Sequence, residues 1–181
     1  HAASAFYPSG FSEAAVLVVD GLGSNLNTQS LFHMSYDKVT DIERGNNWGI
    51  GRLYSLVTGG ILPYGPEKGY GKVMGLAPYG QNKKGPVLEF NSVDKGIETD
   101  YSNFYTRFPN SRLLAPDIQY IEDRKKVMED FPSRAAFDVQ EECERQFVRM
   151  AQYAFDKTKS KNLCIAGGVA LNGAANLKIL E

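Results

Sequence analysis

Near its end the sequence reads Asn162-Leu163-Cys164-Ile165-Ala166-Gly167-Gly168-Val169-Ala170-Leu171-Asn172. The run from Leu163 to Ala166 is apolar and has the length of a strand, and two glycines follow it directly. Glycines at such a position let the backbone turn sharply, because no Cβ is in the way. The turn also directs free backbone N–H groups to the start of the next helix, where an anion is favoured. A lone turn of this kind is as often a plain strand–helix connection as a binding loop.

A second glycine turn of the same kind follows the first strand pattern of the chain. The sequence there is Ala15-Val16-Leu17-Val18-Val19-Asp20-Gly21-Leu22-Gly23-Ser24, which predicts a buried strand ending in a glycine loop. The next residues predict a hairpin, with strands over 31–36 and 39–42 and a turn at Asp37-Lys38. Two glycine loops on separate strands can hold the phosphate tail of a nucleotide from two sides.

Four blocks of sequence, in order along the chain, resemble the O-carbamoyltransferases of the nodulation protein U type. They are His1-Ala2-Ala3-Ser4-Ala5-Phe6-Tyr7-Pro8-Ser9-Gly10-Phe11, the loop Asp20-Gly21-x-Gly23, Gly71-Lys72-Val73-Met74-Gly75-Leu76-Ala77-Pro78-Tyr79-Gly80, and the stretch quoted first. The resemblance implies an α/β fold, as part of an actin-like or sugar-kinase-like (ASKHA) ATPase-type domain. That fold would be related to the enzymes that transfer a threonylcarbamoyl group to tRNA adenosine.

The resemblance also implies roles for particular residues. The nucleotide or carbamoyl-adenylate would contact the first loop, a lysine and the second loop, namely Asp20, Gly21, Gly23, Ser24, Lys72, Gly167, Gly168 and Asn172. A divalent metal, with iron expected, would be held by two histidines spaced His-x-x-x-His and by a distant aspartate. His1 matches the second histidine, and the other two ligands would lie outside this sequence. Without them we expect His1 to be a frayed terminal residue, and the catalytic residues stay unknown.

The implied chemistry is acyl transfer in two steps. A C-terminal domain, absent from this sequence, would use ATP and carbamoyl phosphate to form carbamoyl-adenylate. The N-terminal domain, of which residues 1–181 would be a fragment, would then pass the carbamoyl group to a hydroxyl of a small acceptor. A sugar, an antibiotic or a polysaccharide-type molecule would suit that role. We expect the fragment alone to be inactive and the enzyme to be cytoplasmic.

Three other functions remain open at this stage. An ATPase or sugar kinase of the same fold superfamily would share both glycine loops, although not the His1 and Lys72 blocks. A non-catalytic nucleotide-binding module is the second possibility, and a tRNA-modifying relative is the third. Dependence on carbamoyl phosphate would separate the carbamoyltransferase from the ATPase or kinase.

The composition of the 181 residues limits the partners of the protein. With 20 basic and 21 acidic residues the formal net charge is −1, which argues against a broad nucleic-acid-binding surface. The chain has no apolar run near the ~18 residues that a membrane span requires. Its two cysteines, Cys143 and Cys164, lack metal-ligand spacing. We expect reduced core thiols, with a disulfide as the lesser alternative.

The remaining segments differ in how clearly they predict structure. Apolar residues at Ile50, Leu53, Tyr54 and Val57 predict a helix over 50–61 that Gly59-Gly60 ends. The many glycines and prolines of 66–80 predict a loop with one helical turn near Val73-Met74. Residues 134–159 predict a long helix opened by Pro132 and Ser133, and His33 is interpreted as a strand surface residue.

A variable insert is expected at about 81–130, where no family motif matches. Its aromatic residues suit either acceptor recognition or packing on the core, and packing is the expected role. They are Phe90, Tyr101, Phe104, Tyr105, Phe108 and Tyr120.

Overall fold

The computed structural model describes residues 1–46, 48–62, 64–65, 69–81, 85–107 and 130–181. It has the mixed α/β composition that the sequence predicts. The chain divides into two compact units. The first comprises His1–Arg52, Val93–Asp100 and Cys143–Glu181, and the second comprises Leu53–Ser92 and Tyr101–Glu142.

A four-stranded sheet forms the centre of the first unit. Its strands are β1 (Glu13–Val19), β2 (Gln29–Ser35), β3 (Val39–Gly45) and β6 (Leu163–Ala166), in the order β3-β2-β1-β6. The strand pairs β1–β2 and β2–β3 are antiparallel, which confirms the predicted hairpin. In contrast β6 runs parallel to β1, with Ala166 beside Val18. Because the two strands are parallel, both glycine turns follow strand ends at the same edge of the sheet.

Helix α1 (Ala2–Phe6) packs on this sheet, and its Phe6 is fully buried. The cluster around Phe6 consists of Ala14, Val16, Met34 and Cys164. A 3₁₀ turn over Tyr7–Ser9 ends the helical segment before Gly10, which has a φ of 77°. The left-handed backbone of Gly10 therefore ends the helical segment.

Two later helices flank the last strand. Helix α5 (Phe131–Thr158) begins three residues before the predicted start at Arg134, since proline fits the first turn of a helix. Helix α6 (Gly173–Leu180) follows a 3₁₀ turn over Gly168–Leu171. A short antiparallel pair, β4 (Val93–Lys95) and β5 (Glu98–Asp100), completes the first unit.

The predicted helix over 50–61 is present, although its last turn is wider than an α-helix. Helix α2 (Ile50–Leu56) continues into a π-helical turn over Val57–Ile61, where the N–H of Leu62 donates to the carbonyl of Val57 at 2.7 Å. The predicted apolar face is buried, at Ile50, Leu53, Tyr54 and Val57. Gly59 and Gly60 lie inside the π turn, so the helical segment ends at Ile61.

The helical turn predicted near Val73-Met74 is present, but the loop predicted around it is wrong for the described part of 66–80. Helix α3 (Tyr70–Leu76) and a 3₁₀ turn over Ala77–Gly80 occupy it, and residues 66–68 lie outside the described residues. The fully buried Val73 anchors the helix to its unit. Gly71 and Gly75 face open space, since a Cβ on either would meet nothing within 4 Å. Both glycines belong to helix α3, and neither makes a turn or a close contact.

The described aromatic residues of the predicted insert pack inside the second unit. Phe90, Tyr101 and Phe104 are buried, and the ring centroids of Phe90 and Phe104 are 5.0 Å apart. Phe104 and the half-buried Tyr105 belong to helix α4 (Ser102–Arg107). Packing is thus the observed role of the three buried rings. Phe108 and Tyr120 lie outside the described residues.

Buried carboxylates hold the irregular segments of the second unit. Asp138 on α5 accepts hydrogen bonds from the backbone N–H groups of Val87 and Leu88, at 2.7 and 2.8 Å. Burial raises the pKa of Asp138 above its ordinary value, although these two hydrogen bonds act to lower it. Glu142 accepts a bond of 2.7 Å from the hydroxyl of Tyr101. These polar groups fix the chain before β4 and after β5 within their unit.

Both cysteines are buried free thiols, as predicted. In the described parts of the chain, none of the helices combines the length and apolar character that a membrane crossing needs.

Candidate functional site

The two predicted glycine loops meet in the first unit. Gly167, directly after β6, has a φ of 98°, a backbone region that side chains with a Cβ rarely adopt. A Cβ on Gly167 would lie 2.2 Å from the carbonyl oxygen of Val19, the last residue of β1. The close approach of these two backbones therefore requires glycine, and it brings the second loop against the first.

The carboxylate of Asp20 lies between the loops. Its Oδ1 accepts a hydrogen bond of 2.7 Å from the N–H of Gly21, and a Cβ on Gly168 would come within 3.2 Å of the same atom. Gly23 donates its N–H to the carbonyl of Asn27 at 2.8 Å, and the exposed Ser24 opens a short 3₁₀ turn. The structure thus brings Gly167 and Gly168 of the second loop against Val19 and Asp20, where the first loop begins, and Asp20 is the only carboxylate among the predicted loop residues.

The first loop also holds two non-glycine residues in the left-handed region. Asn25 and Leu26 have φ values of 56° and 63°. Leu26 is exposed, so core packing does not impose this conformation on it. Consecutive residues of this kind store backbone strain, which proteins concentrate at ligand-binding loops.

His1 approaches this loop from helix α1. Its Nε2 lies 3.2 Å from Oδ2 of Asp20, and its carbonyl accepts hydrogen bonds from Ala5 N at 3.1 Å and Ser4 Oγ at 2.8 Å. His1 is therefore held at the start of the helix, and the expectation of a frayed residue is wrong. An imidazole and a carboxylate are both metal-ligand types. Among the described residues, however, no group of three or more His, Cys, Asp or Glu side chains could hold a metal ion.

His33 lies apart from His1, on strand β2 beside Ala15. Its Nε2 is 3.6 Å from Oε2 of Glu13, an ion-pair distance that is too long for a hydrogen bond. The side chain is about one-third exposed. His33 is thus a sheet residue, as interpreted from the sequence.

Asn172 connects the second loop to helix α6. Its Oδ1 accepts a hydrogen bond of 3.1 Å from the N–H of Ala175, the usual interaction of a helix N-cap. Its Nδ2 lies 3.7 Å from Sγ of Cys143. The N-cap role was missed in the sequence, although Asn directly before a helical run is a signal for it.

Lys72 belongs to the second unit, where its side chain is exposed on helix α3. Its role in nucleotide binding remains a prediction.

The sequence analysis predicted the start of helix α2 but missed its contact with the glycine loops. A Cβ on Gly51 would lie 2.6 Å from the carbonyl oxygen of Asp20 and 2.8 Å from Cγ2 of Val169. The first turn of α2, at Gly51, therefore packs against both glycine loops within the first unit. Arg52 directly follows Gly51, and Trp48 precedes it by three residues. The guanidinium of Arg52 lies over the ring of Trp48, 4.8 Å from the ring centroid. The pair Gly49 and Gly51 was the available signal for this close approach.

Comparison with known proteins identifies relatives over the whole chain. The family described as "Carbamoyltransferase N-terminus" matches residues 1–181. An uncharacterized protein of Synechocystis sp. is 32% identical over 196 residues, covering 100% of this chain and 31% of that protein. Nodulation protein NolNO of Sinorhizobium fredii is 32% identical over 184 residues, covering 100% of this chain and 26% of that protein. An uncharacterized protein of Methanocaldococcus jannaschii is 31% identical over 199 residues, with 31% of its length covered. The chain thus spans less than a third of the length of these relatives.

Proposed function

The chain belongs to the family of carbamoyltransferase N-terminal domains, and from this premise we propose that the protein transfers a carbamoyl group to a hydroxyl of a small-molecule acceptor. Carbamoyl phosphate is the donor: with ATP and water it gives carbamoyl-adenylate, and inorganic phosphate and pyrophosphate are released. The acceptor is of the sugar, antibiotic or polysaccharide type. The domain is of the actin-like, sugar-kinase-like class. The activity belongs to the full-length protein, of which this chain supplies one part of the transfer site.

The meeting of the two glycine loops carries this proposal. Gly167 and Gly168 follow β6, and Asp20 and Gly21 follow the neighbouring parallel strand β1. Backbone N–H groups in glycine turns bind the oxygens of phosphate groups, and the lack of side chains lets the ligand come close. A nucleotide monophosphate or acyl phosphate fits such a backbone cradle, and carbamoyl-adenylate contains both features.

His1 and Asp20 suit a cation better than a phosphate. A carboxylate repels a phosphate group, so Asp20 with Oδ2 at 3.2 Å from Nε2 of His1 does not serve as a direct phosphate contact. Imidazole and carboxylate would instead supply two donors to the iron or other divalent metal that the family resemblance implies. Such a metal would act as a Lewis acid on the carbamoyl carbonyl. Further ligands would come from elsewhere in the full-length protein.

The loops would perform two tasks during transfer. They would hold the AMP part of the mixed anhydride in place while the acceptor oxygen bonds to the carbamoyl carbon and the bond to the phosphate oxygen breaks. They would also keep water from the reactive anhydride, because Gly51 and Gly167 pack backbone against backbone.

The decisive experiment measures nucleotide products of the full-length protein with ATP, with and without carbamoyl phosphate. The proposal expects AMP and pyrophosphate only when carbamoyl phosphate is present, and a carbamoylated product when an amino sugar or oligosaccharide is added. Formation of ADP without carbamoyl phosphate would contradict the proposal and favour an ATPase or sugar kinase. A Gly168→Val variant serves as the control, since it should lose the carbamoyl-phosphate-dependent AMP.

A further inference from the structure

The sequence resemblance assigns no function to Trp48 and Arg52, yet both are close in sequence to Gly51, which contacts the glycine loops. Gly51 abuts the carbonyl of Asp20 and the side chain of Val169, and Arg52 is the next residue of helix α2. Trp48 lies in the bend just before helix α2, and its ring contacts the guanidinium of Arg52 in the first helical turn.

The ring of Trp48 orients the guanidinium group of Arg52. The Arg52 guanidinium carbon lies 4.8 Å from the centroid of the indole ring, within the range of a cation–π contact. Trp48 is 48% exposed, so the stacked pair borders solvent. Stacking leaves the N–H groups at the guanidinium edge directed away from the ring, and among the described residues no carboxylate forms an ion pair with Arg52.

A phosphate group at the two loops needs a cation close by. Within the first unit, the loops themselves contribute the carboxylate of Asp20, which already faces His1. Arg52 is the cationic residue that directly follows the backbone contact with that loop. A planar guanidinium can donate two parallel hydrogen bonds to a phosphate, which gives both affinity and orientation.

We propose that Arg52, oriented by the Trp48 ring, binds a phosphate group of the ligand held at the two glycine loops. Arg52 is a ligand-contacting residue, and Trp48 is a positioning residue that acts through it. The ligand class is a nucleoside monophosphate or an acyl phosphate. The assignment rests on the proposed function, because it requires that such a ligand occupies the loops.

Calorimetric titration of the full-length protein with AMP, carbamoyl phosphate and adenosine tests the assignment. Arg52→Gln should weaken AMP binding on the order of tenfold or more, because a charge-assisted bond is lost, and Arg52→Lys should weaken it less. Binding of adenosine, which lacks the phosphate, should change less than about twofold. The titration with carbamoyl phosphate then shows whether Arg52 contacts the nucleotide phosphate or the acyl phosphate.

Arg44 provides a matched control, since its guanidinium also lies over an aromatic ring, Phe32, at 5.2 Å. It is on strand β3, two strands away from β1 in the sheet. Arg44→Gln should leave AMP binding within about twofold of the unaltered protein. An equal loss in Arg44→Gln and Arg52→Gln would overturn the assignment and indicate a general effect of net charge.

The role of Trp48 is tested by its dependence on Arg52. Trp48→Leu should weaken AMP binding less than Arg52→Gln does. Trp48→Phe, which keeps an aromatic ring, should bind AMP more tightly than Trp48→Leu. The double variant Trp48→Leu/Arg52→Gln should bind AMP no worse than Arg52→Gln alone. Additive losses would show that Trp48 contacts the ligand independently. If Gly168→Val abolishes AMP binding but Arg52→Gln does not change it, only the present assignment fails. If the unaltered protein does not bind AMP or carbamoyl phosphate, the proposed function fails with it.

Discussion

Nε2 of His1 lies 3.2 Å from Oδ2 of Asp20, so the first residue of the chain meets the residue that follows strand β1. The sequence analysis placed these two residues in different sites, a metal centre and a phosphate loop. The structure joins them because α1 packs on the sheet and returns His1 to the end of β1. The Asp20 carboxylate thus faces the imidazole of His1 with Oδ2 and accepts the N–H of Gly21 with Oδ1.

Metal binding should depend on both members of this pair. Asp20→Asn and His1→Ala should each weaken binding of Fe²⁺ or Co²⁺ by the full-length protein by about tenfold or more, since each removes one donor. Anaerobic calorimetry would measure this. His33→Ala is the control and should leave the affinity unchanged. Unchanged affinity in both Asp20→Asn and His1→Ala would show that the pair is only an ion pair.

The two adjacent glycines should respond differently to an added methyl group. Gly167→Ala forces a φ of 98° on alanine and a 2.2 Å contact with the backbone of Val19, so we expect a loss of about 2 kcal/mol or more in the free energy of unfolding. Gly168→Ala makes only a 3.2 Å contact with the carboxylate of Asp20. It should cost less than about 1 kcal/mol and weaken AMP binding.

Urea denaturation and AMP titration measure the two effects. Gly173→Ala is the control, because a Cβ there meets nothing within 4 Å and the position opens helix α6. Its stability should be equal to or slightly above that of the unaltered protein. A Gly168→Ala variant that binds AMP normally would show that the ligand does not approach this backbone.

The two functions suggested for Asn172 can be separated by substitution. Asn172→Ala removes the N-cap acceptor of helix α6 and should cost about 1 kcal/mol of stability. Asn172→Asp keeps the acceptor but replaces the amide donor, so it should retain stability and weaken nucleotide binding. Thermal unfolding and AMP titration of both variants provide the test. Full nucleotide affinity in Asn172→Asp would leave only the capping role.

The sequence predicted the four strands of the main sheet and the long helix well, because each has a clear physical pattern, whereas β4 and β5 lie in the segment where no elements were predicted. Apolar runs predict the strands β1 and β6. The turn at Asp37-Lys38 predicts the hairpin, and both signals are local in sequence. Only one turn of helix α3 was predicted, because the glycines and prolines of this segment indicate a loop. The full length of the helix depends on the tertiary packing of Val73.

The composition of the site was predictable in part. Matching blocks indicated both loops, but they could not indicate which strands would be neighbours. The contacts of Gly51 with Asp20 and Val169 depend on the packing of α2 against the loops. The pairing of His1 with Asp20 likewise arises from the position of α1 on the sheet. Such contacts join segments distant in sequence, and no local pattern specifies them.

The hydroxyl of Tyr153 should make stability fall at high pH. It donates a 2.6 Å hydrogen bond to Oε2 of Glu43, and burial and this carboxylate raise the pKa of Tyr153 from 10.0 to about 12. A folded-state pKa above the unfolded value means that the stabilisation is complete below about pH 10 and is lost between about pH 10 and 12. Tyr153→Phe should lack this component of the pH dependence.

Denaturation of both proteins from pH 8 to 12 tests this relation. The difference in the free energy of unfolding should be about 1 kcal/mol at pH 8 and should approach zero near pH 12. A difference that stays constant across this range would show that the hydrogen bond does not couple to ionisation of Tyr153.

A single arginine on α5 should account for much of the attachment of the β4–β5 hairpin. The Arg149 guanidinium donates to backbone carbonyls along the hairpin, those of Gly96, Ile97 and Glu98, at 2.5, 3.1 and 3.3 Å. Lysine cannot reproduce this fork, so Arg149→Lys should reduce the free energy of unfolding by about 2 kcal/mol. Hydrogen exchange of the hairpin amides should increase in the same variant.

Arg145 offers a matched comparison one turn earlier on the same helix. It is more exposed and donates to the carboxylate of Asp94, at 2.9 Å. Because an exposed ion pair contributes little, Arg145→Lys should cost less than about 1 kcal/mol. A loss in Arg149→Lys as small as that in Arg145→Lys would mean that the positive charge, which lysine retains, holds the hairpin instead of the carbonyl fork. A larger loss in Arg149→Lys, with faster exchange confined to β4 and β5, would show that hydrogen bonding by the fork fixes these strands on α5.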